Sequence, residues 1–254
     1  MMQKRFAGMA NRAFRIVAAC AVVMMLAGIC SCGGKASAQG GSTASAAGAQ
    51  KAETKAEKKA GDMSIDELKK LPPSPESDFL VESIDDNFTA VKVTKYKGSD
   101  QVVVIPATIQ GLPVKWIGAG SRGGSGSIFS GDNVRDNVVA VVTPEGMSVI
   151  GEEASHGCPN LSVAVISEGV TCILEGAFVN CKNLSSVVLP STLKYIGKRA
   201  FQAPYTDEGK LASIELPAGL LYIGDNAFFG TGLTSVKLPE GLVCIGEGLL
   251  NTRI

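Results

Sequence analysis

The sequence predicts a β-rich solenoid, in which short parallel strands stack and are joined by turns or short helical turns, preceded by a disordered tether. Three stretches carry the same residue classes in the same order, namely "NLSSVVLPSTLKYIGKRAF", "LASIELPAGLLYIGDNAF" and "GLTSVKLPEGLVCIGEGLL". Proline, or serine in one unit, recurs at positions 144, 167, 190, 217 and 239, in steps of 23, 23, 27 and 22 residues. A period in the twenties is typical of solenoids, because one unit cannot bury its own apolar face.

Residues 1–31 have the pattern of a signal peptide. Basic residues at positions 4, 5, 12 and 15 precede an apolar run over 16–29, which is shorter than the roughly 20 residues of a membrane span. The run ends in "LAGICSCGG", which resembles a loose lipobox of exported bacterial lipoproteins. Cys32 follows the small Ser31, whereas Cys30 follows the bulky Ile29, so we predict lipidation at Cys32. Cleavage and release, or an uncleaved span, are the alternatives.

Residues 32–62 are predicted to form the tether. From Gly33 to Asp62 the chain has no large apolar residue, so it has no means of forming a core. A flexible coil of about 30 residues spans roughly 30 Å, which is enough to hold a domain away from a membrane. The lead-in over 63–87 contains "SIDELKKL", in which Ser64 and Glu67 have capping-box spacing, and this predicts a short structural helix.

The repeat unit can be written L-x-x-[VI]-x-L-P-x-x-L-x-x-I-G-x-x-A-F-x-x-C-x-N. The unit over 161–183 keeps Leu161, Ile166, Val170, Ile173, Ala177, Phe178, Cys181 and Asn183. This pattern resembles the BspA-like (treponemal-type) leucine-rich repeats of bacterial surface proteins, over residues 88–254. Residues 96–118 resemble the half-repeat that opens such arrays, with Ile105-Pro106 in the L-P slot and Ile117-Gly118 in the I-G slot. The departures are Thr143 before the proline, Ser155 at the Phe, and Leu249-Leu250 at the last Ala-Phe.

The alternation within a unit indicates which side chains face inward. Val187 and Leu189 are two residues apart, so both point to one face of a short strand, and Pro190 ends that strand. On the return leg we expect Gly197 to relieve the backbone at a turn and Ala200-Phe201 to fill the interior. Each large buried side chain contributes roughly 1.5–3 kcal/mol, most of which chain entropy cancels. A stack of units is therefore expected to fold, whereas a single unit is not.

The sequence offers no catalytic, cofactor or metal constellation. "GAGSRG" (118–123) matches G-x-G-x-x-G, but a glycine-rich loop follows it instead of the helix that a dinucleotide site needs. The single histidine, His156, is predicted to lie on the surface, and "DNVRDN" (132–137) lacks the acidic alternation of a calcium loop. The formal net charge is zero, so the sequence lacks the excess of basic residues that is typical of nucleic-acid-binding proteins. We therefore predict a non-enzymatic protein without cofactor, metal or nucleic-acid partner.

Four cysteines fall on two repeat columns, Cys158 with Cys181 and Cys172 with Cys244. The recurrence of cysteine in one repeat column favours a role in core packing over a disulfide bond. In rungs about 4.8 Å apart the Cβ atoms are also farther apart than a disulfide prefers. A Cys158–Cys181 disulfide stays open as an alternative, because export permits disulfides.

Two columns of outward-facing residues form the predicted ligand-binding surface. The first holds Val142, Val165 and Val188, followed by Glu215 and Lys237. The second, just before the I-G pair, holds Trp116, Val149, Cys172, Tyr195, Tyr222 and Cys244. Apolar and aromatic columns with polar rims are typical of interaction sites. The alternative is partial burial, by the N-terminal segment or at the strand edge.

The family resemblance implies a role in adhesion or host-matrix binding. The predicted protein is exported and lipid-anchored in the cell envelope, at the cell surface or in the periplasm, and binds a protein or extracellular-matrix ligand. The alternative is an envelope scaffold or assembly factor with a bacterial partner. The last unit is also expected to present an open apolar end, so that either the chain is truncated or a partner, including a second copy, covers it. The residues of that end are Leu233, Val236, Leu238, Leu242 and Ile245.

Overall fold

The computed structural model of the chain describes residues 60–118, 126–131, 134–205 and 209–250. Within them the predicted solenoid of stacked, mostly parallel strands is confirmed. The predicted signal peptide and the predicted lipidation site, Cys32, lie outside the described residues. So does the predicted tether, apart from a 3-10 turn at Ala60–Asp62.

Two β-sheets run along the solenoid. Sheet A has nine strands. Their order is β1 (Phe79–Ser83), β2 (Val91–Tyr96), β5 (Leu112–Ile117), β7 (Val149–Ile150), β9 (Cys172–Ile173), β11 (Tyr195–Ile196), β12 (Tyr222–Ile223) and β13 (Cys244–Ile245), with β4 (Thr108–Ile109) paired to β5. Sheet B has four strands, in the order β10 (Ser186–Val188), β8 (Val163–Val165), β6 (Ala140–Val142) and β3 (Val102–Val104). Each repeat therefore contributes one strand to sheet A, and the earlier repeats also contribute one to sheet B.

The rungs of sheet A stack in register through the isoleucine of the I-G pair. Ile117 pairs with Ile150, Ile150 with Ile173, and Ile173 with Ile196. All four side chains are buried in the main hydrophobic cluster. The half-repeat is therefore aligned with the full repeats, as its I-G slot predicts.

The strand pattern of sheet B ends at β10, although the sequence predicts a strand at the same slot of the next units. Residues 213–215 and 236–238 are not assigned to strands. The change coincides with the step of 27 residues between Pro190 and Pro217, which is the longest in the array. In sheet A the rungs stay in register across this step, since Tyr195 pairs with Tyr222 and Ile196 with Ile223.

Stacked phenylalanine rings fill the interior. The ring centroids of Phe178 and Phe201 are 5.3 Å apart, those of Phe201 and Phe228 are 5.4 Å apart, and both pairs are parallel within 3°. Ser155 takes the equivalent place in the preceding rung, and its hydroxyl is buried without a hydrogen-bond partner among the described residues. At Ser155 the column therefore lacks an aromatic ring contact, and a buried hydroxyl group is left without a hydrogen bond, which costs stability.

The glycine of the I-G pair is explained by close packing between rungs. Gly197 does not have a positive φ, in contrast to the turn role predicted for it. A Cβ atom built at Gly197 would lie 2.6 Å from the carbonyl carbon of Leu174. The left-handed residue of this corner comes two positions later, at Arg199 (φ 56°) and Asn226 (φ 55°).

The lead-in covers the first edge of both sheets. Strand β1, which the sequence analysis missed, pairs antiparallel with β2 at the edge of sheet A. At sheet B, the amide of Ser74 donates to the carbonyl of Val104 (2.8 Å), and the Val104 amide donates to the Ser74 hydroxyl (3.3 Å). These contacts satisfy backbone groups that an open sheet edge would leave unpaired.

The predicted short helix is confirmed as α1 (Ile65–Leu68). Ser64 caps it, and both hydrogen bonds of the Ser64–Glu67 capping box are present. We call residues 63–71, which include α1, the strap. Leu68 is fully buried in a second hydrophobic cluster on the outer face of sheet B, and Met63, Ile65 and Leu71 pack against the same cluster.

The insertion over 132–137 contains a second short helix, α2 (Val134–Asn137). At the other end, Leu238 and Ile245 are exposed, as predicted for the open end, but Leu233 is buried and belongs to the main cluster. Leu233 is therefore a core residue, because it packs against the preceding rung.

Candidate binding surface

The valine column of the predicted surface is covered. Val142 and Val165 have exposed fractions of 5% and 0%, and Val188 is half-buried. They pack with Leu68 of the strap on the outer face of sheet B. For Val142 and Val165 the structure therefore agrees with the alternative of burial by the N-terminal segment, because the strap occupies the face that a ligand would need.

The second column lies on the outer face of sheet A. Its members pair across consecutive strands in the order Trp116, Val149, Cys172, Tyr195, Tyr222 and Cys244. Every member except Cys244 precedes an isoleucine that is buried in the core, so alternation along the strand directs the column outward. We call this column the apolar stripe.

Three aromatic side chains belong to the stripe: Trp116 on its first strand, and Tyr195 and Tyr222 on two adjacent strands farther along. Tyr195 and Tyr222 stack with centroids 4.7 Å apart and ring planes within 3° of parallel. The Trp116 indole lies beside the next rung, since a Cβ at Gly151 would be 2.4 Å from its Nε1 atom. These three aromatic residues are half-exposed, whereas Val149 and Cys172 between them are buried. The accessible part of the stripe is therefore Trp116 at one end and Tyr195, Tyr222 and the exposed Cys244 toward the other.

The tyrosines present their ring edges and hydroxyl groups. Because the two rings stack on each other, the faces between them are not available to a ligand. The pKa of Tyr222 is raised, first by burial and then by the nearby groups of Cys244 and Asp225. The Tyr222 hydroxyl therefore remains a neutral hydrogen-bond donor over the whole physiological pH range.

No catalytic constellation is assembled around His156 in the described part of the chain. Its Nδ1 lies 3.6 Å from Glu153 Oε2, and its Nε2 lies 3.4 Å from the Asn180 side-chain amide. Among the described residues, no group of three or more His, Cys, Asp or Glu side chains is arranged to hold a metal ion. The described helices also include none with the length and apolarity that a membrane span requires.

Gly118 occupies the I-G slot, but residues 119–125 of the G-x-G-x-x-G match lie outside the described residues. The cysteines at 158, 172, 181 and 244 are free thiols. Cys158 and Cys181 are buried, and burial, together with the neighbouring Cys158 thiol, raises the pKa of Cys181 well above its usual value. The Cys181 thiol donates to the carbonyl of Ser155 at 3.0 Å. Both side chains thus pack in the interior, as their shared column favours.

Comparisons with known proteins agree with this geometry. A family model described as "BspA type Leucine rich repeat region (6 copies)" matches residues 203–252. No curated protein matches the chain significantly.

Solved structures of leucine-rich repeat proteins are also similar. A protein from Bacteroides ovatus is 26% identical with a TM-score of 0.53, and the match covers 68% of this chain and 43% of that one. A Treponema pallidum leucine-rich repeat protein is 28% identical with a TM-score of 0.48, over 70% of this chain and 87% of that one. This chain therefore spans less than half of the B. ovatus protein. Residues 203–252 thus match the BspA-type leucine-rich repeat model, and the solenoid of this chain is similar to those of solved leucine-rich repeat proteins.

Proposed function

We propose that this chain is an exported, lipid-anchored and non-enzymatic protein whose repeat array binds another macromolecule through the apolar stripe. The observation that carries the proposal is the half-exposed row of Trp116, Tyr195 and Tyr222, held in register on sheet A. On the other face, the strap covers sheet B. Sheet A is thus the face that is left for a partner, and aromatic residues dominate the energetics of many interfaces.

The dimensions of the stripe favour an extended ligand over a small molecule. Five steps between neighbouring strands separate Trp116 from Cys244, which corresponds to about 24 Å along the solenoid. Small-molecule sites are usually compact and concave, whereas the stripe extends along successive rungs of the solenoid. The ligand class implied by the family resemblance, a host protein or extracellular-matrix protein, fits such a surface.

The second candidate is an envelope scaffold that binds a bacterial partner by the same stripe. The two functions place the repeat array on different sides of the outer barrier of the cell. Protease added to intact cells removes the array if it lies on the surface and spares it if it lies in the periplasm.

Removing the two stacked tyrosines tests the binding proposal. The double variant Tyr195→Ser/Tyr222→Ser is expected to bind at least tenfold more weakly to any ligand found in a panel of purified extracellular-matrix and envelope proteins, because hot-spot aromatics contribute about 2 kcal/mol or more each. Surface plasmon resonance with the purified protein measures the change.

Tyr205→Ser is the matched control, because Tyr205 is exposed outside the stripe and packs against Phe229. A double variant that melts like the wild type and binds every ligand as tightly would contradict the assignment of the stripe. Equal loss in the Tyr205 control would contradict it as well.

The anchor is tested at Cys32, which follows the small Ser31 in "LAGICSCGG". Cys32→Ser is expected to abolish incorporation of a labelled fatty acid and to release the protein from the membrane fraction. Metabolic labelling and cell fractionation measure both effects, with Cys30→Ser as the control. Retained label in Cys32→Ser would move the site to Cys30, and absence of label in the wild type would refute the anchor.

A further inference from the structure

Rows of carboxylates flank the apolar stripe on both sides. One row follows the I-G pair at the corner where each rung leaves sheet A, and comprises Glu152, Glu175, Asp225 and Glu247, with Lys198 among them. The other lies at the turn through which each rung enters sheet A, and comprises Glu145, Glu168 and Glu240. All but Asp225 are exposed. Sheet A therefore faces the solvent as an apolar band between two acidic rims.

The rims carry an excess of negative charge, although the whole chain has a formal net charge of zero. Five cationic side chains lie on or beside this face, against the seven rim carboxylates, and they are Lys92, Lys115, Lys194, Lys198 and Arg199. Lys92, which pairs with Trp116 in the strand register, forms an ion pair with Glu82. Lys115 is already engaged, since its Nζ donates to the carbonyl of Gly146 at 2.7 Å. Among the described residues, no lysine or arginine forms an ion pair with any of the seven carboxylates.

The carboxylates of the rim also crowd one another. Partial desolvation of its carboxyl group raises the pKa of Glu152, although the residue as a whole is exposed, and the nearby carboxylates of Glu175 and Glu153 raise it further. Near the other end of the array, Asp225 Oδ1 accepts a hydrogen bond from the Glu247 amide at 3.0 Å, which holds this acid at the corner beside Tyr222. A bound cation would relieve the repulsion in the first group and find a fixed carboxylate in the second.

From this arrangement we infer that the ligand of the apolar stripe is an extended polypeptide segment rich in lysine and arginine. The inference rests on the proposed function. Lysine and arginine side chains combine an aliphatic stem, which packs on an apolar surface, with a charged head that reaches beyond it. Asp225 is three residues from Tyr222, at most about 10 Å along the chain, so a segment centred on the stripe brings its cationic heads to the rims.

The tyrosine geometry favours a polypeptide over a sugar chain. A sugar stacks on an exposed ring face, but Tyr195 and Tyr222 turn one face of each ring toward the other. Their edges and hydroxyl groups are suited instead to apolar contacts and to hydrogen bonds with a peptide backbone. A neutral polysaccharide also gains nothing from the acidic rims.

Fluorescence polarisation with the full chain and labelled decalysine tests the inference. Asp225→Asn/Glu247→Gln removes two rim charges and keeps an oxygen at position 225 that can accept from the Glu247 backbone amide. We expect this variant to bind decalysine roughly tenfold more weakly than the wild type, and added salt to weaken wild-type binding, because exposed charge pairs are screened. The Tyr195→Ser/Tyr222→Ser variant should also bind more weakly, because it lacks the apolar contacts.

The matched control is Asp136→Asn/Glu215→Gln, which removes one exposed aspartate and one exposed glutamate away from the rims. It should keep the wild-type affinity within about twofold, since distant exposed charges are screened. Equal weakening in this control would show that bulk charge alone attracts decalysine. Unchanged binding in the tyrosine variant would place decalysine elsewhere, and preference for labelled decaglutamate or dextran would refute a cationic ligand. Each of these three results overturns the inference.

The protein panel separates failure of this inference from failure of the proposed function. If a partner requires Tyr195 and Tyr222 but is insensitive to salt and to Asp225→Asn/Glu247→Gln, the stripe binds a partner that is not cationic, and only the inference falls. If partner binding is insensitive to both double variants, the proposed function falls and the inference falls with it.

Discussion

Replacing Val165 with glutamate should lower the free energy of unfolding by about 4 kcal/mol, because the change places a carboxylate in an apolar site that water does not reach. Val165 lies at the centre of sheet B, between Val142 and Val188 in the strand register. The Leu68 side chain of the strap closes the cluster from outside. Either the glutamate becomes protonated or the strap detaches from sheet B, and each of these destabilises the folded state. Urea or thermal unfolding followed by circular dichroism measures the loss.

Two other positions of the same column provide graded controls. Val188→Glu should cost less than Val165→Glu, because Val188 is half-buried at the edge of the cluster. Lys237→Glu should cost little, because Lys237 is exposed. If Val165→Glu melts like the wild type and abolishes partner binding, then the valine column is an open binding surface and the strap does not cover it.

Phe201→Ala is expected to lower the free energy of unfolding by about 4 kcal/mol, within the range of about 3–5 kcal/mol for large aromatic truncations in a core. Phe201 is the middle ring of the stack and contacts Phe178 on one side and Phe228 on the other. Truncation therefore removes two ring contacts and leaves a cavity between rungs. Because rungs in a solenoid are stabilised mainly by their neighbours, we expect truncation of Phe201 to destabilise the repeat units on both sides of its own.

Phe88→Ala serves as the control, since Phe88 is exposed and should change the stability by less than about 0.5 kcal/mol. Denaturant unfolding with amide hydrogen exchange distinguishes local from distributed damage. Equal stabilities for the Phe201 and Phe88 variants would contradict the stacked interior.

The repeat spacing was sufficient to predict the architecture, because it reflects contacts that recur in every rung. Ile150 and Ile173 occupy the same slot in successive units, and the structure pairs them directly. The capping box of α1 was also readable, since Ser64 and Glu67 are local in sequence. The outward direction of Tyr195 and Tyr222 followed from the same alternation.

The repeat pattern could not predict contacts between segments that are distant in sequence. The burial of Val165 depends on Leu68, almost a hundred residues earlier, and no periodicity links the two. The valine column therefore looked like an exposed stripe. Strand β1 was missed because it pairs antiparallel outside the repeat, and the left-handed corner was missed because Arg199 and Asn226 share a backbone conformation without sharing a residue class.

Hydroxyl-radical footprinting of the purified protein tests most directly the claim that sheet A is open while the strap covers sheet B. Mass spectrometry gives the oxidation rate of each side chain, normalised to its rate in the unfolded chain. We expect Trp116, Tyr195 and Tyr222 to be oxidised readily in the native state, and Leu68 and Val165 to be strongly protected until the chain unfolds. Native-state oxidation of Leu68 and Val165 at their unfolded rates, with the three aromatic residues protected, would contradict the assignment of both faces.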